Sequence, residues 1–164
     1  MGLVCLPKTS LKITVQFTDL RLGLEAARHI VRLECAKLIL AVRNIEKGEA
    51  ARQDIEKTTG RVGVIQVWQL DMDSFQSVKS FADRVGSELE RLDVALLNAG
   101  LISRTFKLSP EDWEETLQVN VLATALLALL LLPKLRASKT PGSTPHLGIG
   151  TFETRLALRC YRHP

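Results

Sequence analysis

Aromatic residues are scarce: five Phe, two Trp and one Tyr make up 5% of the 164 residues. Nucleic-acid recognition needs such rings interleaved with a basic stripe, so that partner class is disfavoured. The formal charge of +4 does not restore it, because the positive excess lies at the two ends and residues 44–133 are net acidic. Cysteine is equally sparse. Cys5, Cys35 and Cys160 are odd in number, widely scattered and without metal-ligand spacing. Reduced thiols in a reducing compartment are expected, and no metal site. No apolar run reaches the roughly 20 residues that cross a bilayer. The longest, residues 121–132, contains Thr124 and reads as a buried helix, so no membrane span is expected. One Lys and no long apolar stretch precede Ser10, which gives no secretory signal. Met1-Gly2 lacks the Ser or Thr at position 6 that would indicate myristoylation. A cytoplasmic location is the default expectation.

What is present suits one globular domain with its own core: 46% hydrophobic and 24% charged residues, no internal repeat and no linker. The domain is expected over residues 1–164, with 1–11 and 152–164 as tails. Residues 12–17 alternate and are β-branched, which predicts a first strand. Leu22, Ala26, Ala27, Ile30, Val31 and Leu33 then share one helical face. The continuous apolar run 37–42 fits a strand buried on both faces. A charged surface helix over 45–58 should stop before Gly60, followed by a third strand over 62–70. Phe75, Val78, Phe81, Ala82, Val85 and Leu89 mark a third helix, and residues 92–97 a fourth strand. Ser109-Pro110-Glu111-Asp112 reads as a capped helix start, with the helix running to about Arg136. After a turn-rich stretch, 137–145, a short fifth strand is expected over 147–151. Alternating strands and helices imply right-handed crossovers and an α/β, doubly wound parallel sheet of Rossmann type, strand order 3-2-1-4-5, incomplete at its C-terminal side.

The fourth strand is the most informative. Asp93 opens it, apolar residues follow, and it breaks into Asn98-Ala99-Gly100. A parallel strand ends this way at a nucleotide crevice, where small residues let a flat ligand approach the backbone. An ordinary strand-to-loop turn would read the same in isolation.

Taken with Leu22-Gly23-Leu24-Glu25-Ala26-Ala27-Arg28-His29, Leu38-Ile39-Leu40-Ala41-Val42-Arg43-Asn44, Leu70-Asp71-Met72 and Val119-Asn120-Val121, that segment resembles the short-chain dehydrogenase/reductase family. The nearest likeness is to its retinol-dehydrogenase-like branch in filamentous fungi, over roughly residues 20–150. The resemblance implies an NAD(P)-dependent oxidoreductase moving hydride between a nicotinamide and a carbonyl or alcohol, with a place in fungal secondary metabolism. It assigns Leu22 and Gly23 to the pyrophosphate at a helix start. Arg43 falls where a cation meets the 2′-phosphate, favouring NADP over NAD. Asp71 would bond the adenine amino group, with the Met72 backbone beside the ring. Asn98, Ala99 and Gly100 would wall the adenosine ribose, and Asn120 would hold a water of the catalytic proton relay. For each there is a plainer role: helix packing for Gly23, a solvated side chain for Arg43, a helix cap for Asp71, a structural hydrogen bond for Asn120. A small-molecule substrate and no nucleic acid are implied, with a homo-oligomer left open.

The match departs from the family at both edges. The first turn, Thr-Gly-x-x-x-Gly-x-Gly in the family, reads Gln16-Phe17-Thr18-Asp19-Leu20-Arg21-Leu22-Gly23. Two of its three glycines are replaced, so weak or lost cofactor binding is expected. The serine position falls on Phe152, beside Thr151, and the only tyrosine, Tyr161, has no lysine four residues on. The expectation is therefore divided between an NADP(H)-dependent oxidoreductase, a catalytically inactive remnant or pseudo-enzyme, and a nucleotide-binding module without chemistry. From Gly148 the pattern turns arginine-rich, as translation of a mis-spliced or decayed gene would.

Overall fold

The computed structural model describes residues 12–17, 20–103 and 105–150, with side chains from Gly23 onward. The strands are β1 (Lys12–Phe17), β2 (Lys37–Val42), β3 (Ile65–Gln69), β4 (Val94–Asn98) and β5 (His146–Ile149). They alternate with helices α1 (Leu20–Arg32), α2 (Ile45–Thr59) and α3 (Phe75–Glu88), then α4 (Glu115–Leu117), a π-helical segment (Gln118–Ala123) and α5 (Thr124–Ala137). All pairings are parallel and the order is β3-β2-β1-β4-β5, the doubly wound arrangement expected from the sequence.

Period-two alternation divides the core between the sheet's faces. Ile39, Ala41, Trp68, Leu70, Ala95 and Leu97 pack under α3 and α5. Leu38, Leu40, Val42 and Ile65 pack with Ala27, Val31 and Ile55 of α1 and α2. Arg28 of α1 joins those two helices by pairing with Asp54 of α2, and also pairs with Glu25 on its own helix. Helix α2 starts where Asn44 accepts from the Lys47 N–H at 2.9 Å and stops at Gly60, whose φ is +72°. Gly48 lets it lie close on the sheet: a Cβ there would stand 2.5 Å from Val67 Cγ1 and 2.7 Å from Val42 Cγ2.

Four element boundaries differ from expectation. Strand β3 spans only Ile65–Gln69, because Gly63 turns at φ +79° and its N–H is drawn to Glu56 Oε1 at 3.0 Å. Strand β4 begins at Val94, since the Leu92 N–H is taken by Ser138 Oγ at 2.7 Å instead of a neighbouring strand. The largest difference is the helix expected from Ser109. Ser109 Oγ accepts from the N–H of Glu111 and Trp113, its own N–H donates to the Trp113 carbonyl at 2.7 Å, and Asp112 takes φ +62°. Ser-Pro-Glu-Asp can serve a turn as well as a cap, and aspartate tolerates the left-handed region. The turn forms, and Glu114 caps the helix by accepting from the Leu117 N–H at 2.8 Å. The fifth strand covers His146–Ile149, while Thr151 lies outside the described residues.

From Glu115 to Ala137 the helical run is 23 residues and its most apolar 18-residue stretch has mean hydropathy 1.9, long and apolar enough to cross a membrane by those measures alone. Here its inner face, Val119, Ala123, Leu127, Leu131 and Leu135, is buried in the core against the sheet and α3.

Candidate functional site

Strands β1 and β4 are neighbours whose connections leave in opposite directions, and such a switch point opens a crevice at the strands' carboxyl ends. At that edge lies a cavity of about 260 Å³ bordered by Gly23 and Ala26 of α1, Leu96 and Asn98 of β4, and Gly148 and Gly150 around β5. Asn98 is the polar group among these. Its Nδ2 is buried without a hydrogen-bond partner, which suits a site awaiting an acceptor. A Cβ on Gly150 would come within 2.7 Å of Asn98 Oδ1, so a side chain there would have to displace the Asn98 amide. Gly23 is the fourth residue of α1, at the end of its first turn. Leu22 shares that turn, although its side chain lies outside the described residues. Ala99 is buried and Gly100 partly so, directly beyond the strand.

The second group lies where β2 and β3 end. Leu70 N–H donates to the Val42 carbonyl at 2.9 Å, so the chain leaves both strands at one corner, with Arg43 directly after β2 and Asp71 directly after Leu70. Arg43 is exposed. Asp71 is not the cap of α3. Ser74 fills that role, while Asp71 Oδ1 accepts from the Asp73 N–H at 3.0 Å and Asp71 N–H donates to Ser77 Oγ at 2.9 Å. The Met72 side chain is buried in the core, which leaves only its backbone to face a ligand. Burial raises the Asp73 carboxyl above its ordinary range; Glu115 and Asp71 add to this, and Lys107 and Arg43 oppose it.

Asn120 stands apart from both groups but is tied to them through the loop after Gly100. Its Oδ1 accepts from the Leu101 N–H at 2.9 Å and its Nδ2 donates to the Leu101 carbonyl at 2.8 Å. It sits within the π-helical segment, where Thr124 Oγ1 donates to the Val119 carbonyl at 2.9 Å. Such bulges often mark functional sites in helices.

Sequence reasoning missed the segment that leads from β4 to α4. There Glu111 Oε1 accepts from the Phe75 N–H at 2.8 Å, and Lys107 Nζ donates to Glu115 Oε1 at 2.8 Å. It also missed Gln118, which is 0% exposed with neither amide atom partnered among the described residues. The available signal was a pair of polar residues, Glu115 and Gln118, spaced to share the inner side of an apolar helix. Thr18, Asp19, Thr151, Phe152 and Tyr161, and the two tails 1–11 and 152–164, lie outside the described residues, as do the side chains of Phe17 and Arg21.

The model of the short chain dehydrogenase family matches residues 21–143, well over half of the chain. The chain belongs to the short-chain dehydrogenase family. A short chain dehydrogenase/reductase of Cryptosporiopsis sp. (strain 8999), dmxR8, is 46% identical over 144 residues, covering 87% of this chain and 41% of the relative. A short chain dehydrogenase of Emericella nidulans, atnD, is 50% identical over 121 residues, covering 74% and 38%. This short-chain dehydrogenase thus spans about two-fifths of the length of these curated relatives. A structure of the same kind from Shigella flexneri 2a str. 301, complexed with NADP, superposes at a TM-score of 0.63 and is 32% identical, covering 76% of this chain and 53% of that one.

Proposed function

We propose that residues 12–150 form the nucleotide-binding portion, within one NAD(P)-binding domain, of a short-chain oxidoreductase that takes NADP(H) and acts on a carbonyl or alcohol. The observation that carries this reading is Asn98: a buried, unpartnered amide facing a cavity at the switch point of a doubly wound sheet. Gly23 and Leu22 would offer helix-start N–H groups to the pyrophosphate, Asp71 and the Met72 backbone would hold the adenine, and Ala99 and Gly100 would leave room for the ribose. Arg43 would meet the 2′-phosphate with a two-pronged guanidinium. Asn120 acts as a positioning residue, because both its amide atoms fix the Leu101 backbone beside the site. The nicotinamide, when bound, supplies hydride transfer.

A second reading, nucleotide binding without turnover, is favoured by the commitment of Asn120 to Leu101. NADPH titration of the whole chain, followed by cofactor fluorescence, tests the common ground. Saturable binding, weakened in Asn120→Leu, is the expected result; no saturation at millimolar NADPH overturns the proposal. Oxidation of bound NADPH by a panel of ketones and aldehydes then separates an enzyme from a binding module.

A further inference from the structure

Residues 107–115 close into a hairpin: the Glu115 N–H donates to the Lys107 carbonyl at 2.8 Å, the Ser109 N–H donates to the Trp113 carbonyl at 2.7 Å, and Leu108 pairs antiparallel with Glu114. Its tip is braced from within. Ser109 is 5% exposed, and its Oγ accepts from the N–H of Glu111 and of Trp113. Glu111 therefore leaves the tip from a fixed backbone, and its Oε1 accepts from the Phe75 N–H at 2.8 Å, on the first residue of α3. That N–H has no acceptor inside its own helix, and a carboxylate is favoured at the positive helix end. The same first turn of α3 organises the corner after β3. Asp71 N–H donates to Ser77 Oγ at 2.9 Å, Ser77 N–H donates to Ser74 Oγ at 3.3 Å, and Asp73 N–H donates to Asp71 Oδ1 at 3.0 Å. Asp71 is thus aimed by bonds that run through Ser74 and Ser77, on either side of the residue that Glu111 holds.

We propose that Glu111 is a positioning residue for purine selection: by fastening the hairpin to the start of α3, it fixes the turn that aims the Asp71 carboxylate at a purine's 6-position. This rests on the nucleotide reading above and deepens it. The Asp73 N–H engages Asp71 Oδ1 and so sets the plane of the carboxylate that a base would meet. A carboxylate oxygen accepts from the 6-amino group of adenine and repels the 6-oxo group of hypoxanthine. Swinging the turn loses the first contact and relieves the second, so its rigidity is worth more to selectivity than to affinity. Glu111 spends its Oε1 on the Phe75 N–H and acts on the base only through that turn.

Isothermal titration of the whole chain with adenosine diphosphate and with inosine diphosphate tests this. The wild type should bind the adenosine ligand more tightly, and Glu111→Ala should narrow that preference by about fivefold. Glu111→Gln keeps an acceptor for the Phe75 N–H and should keep the preference. Glu111→Asp keeps the charge but shortens the reach by one methylene, and should narrow the preference in the same direction, which serves if the alanine variant does not fold. Glu88→Gln, which breaks the ion pair with Arg84 at the far end of α3, should leave the preference alone. Equal weakening of both ligands in Glu111→Ala and Glu111→Asp, an unchanged preference in them, or its loss in Glu111→Gln overturns the role of Glu111. If the wild type binds the two ligands equally, that role falls and the nucleotide site stands; if it binds neither, both fall.

Discussion

Strands β2 and β4 occupy equivalent interior places in one sheet, yet they are covered differently. From Leu38 to Val42 every residue of β2 is buried, because α1 and α2 close one face and the α3 and α5 layer the other. In β4 only Ala95 and Leu97 are sealed, while Val94 and Leu96 are half-covered on the α1 side, where the cavity opens. Burial scales with apolar area removed from water, so stability is concentrated around β2. The site lies where covering thins out and polar atoms such as the Asn98 amide remain unsatisfied. Core and site thus lie on two strands of one sheet with only β1 between them, not in separate domains.

Truncating a leucine in each strand tests that contrast most severely. Leu40→Ala removes a fully buried side chain and should lower unfolding free energy by about 2–5 kcal/mol, measured in urea. Leu96→Ala, beside the cavity, should lose less than half as much; equal losses would abolish the distinction. A pair of glycines gives the next test. Gly48→Ala drives a methyl into Val67 and Val42 and should destabilise by about 1–3 kcal/mol. Gly86→Ala enters open space on α3 and should stabilise by up to about 1 kcal/mol, read as opposite shifts in Tm. The smallest effect concerns Asp73. Its folded pKa is raised, first by burial and then by Glu115 and Asp71, so the folded state holds its proton more tightly. Stability therefore falls as pH rises from its ordinary value of 3.8 through the folded value. Asp73→Asn should be more stable than wild type above that window and lose the advantage below it, in melts across pH.

Much of the sheet was legible in the sequence because its signals are local. The run at 37–42 has no polar interruption, and Asn44 and Gly60 bracket α2 by capping chemistry that depends on a few neighbours. Gly63 shortened β3 through a bond to Glu56, and the Ser109 turn displaced a helix start that used the same residues. In both cases two local structures shared one sequence and a further contact decided. Arg43, Asp71, Asn98 and Asn120 could be picked out by motif. Glu111 could not, since its role arises from the chain folding back across 36 residues to meet Phe75. No periodicity encodes that closure.

The Asn120 amide grips Leu101 as one base grips another, donor to acceptor and acceptor to donor. This gives position 120 a vocabulary of one word. Aspartate preserves the shape but sets a carboxylate against the Leu101 carbonyl, glutamine reaches a methylene too far, and leucine abandons both bonds. A descendant that gave up hydride chemistry altogether would still be obliged to spell asparagine here, merely to keep its loop in place.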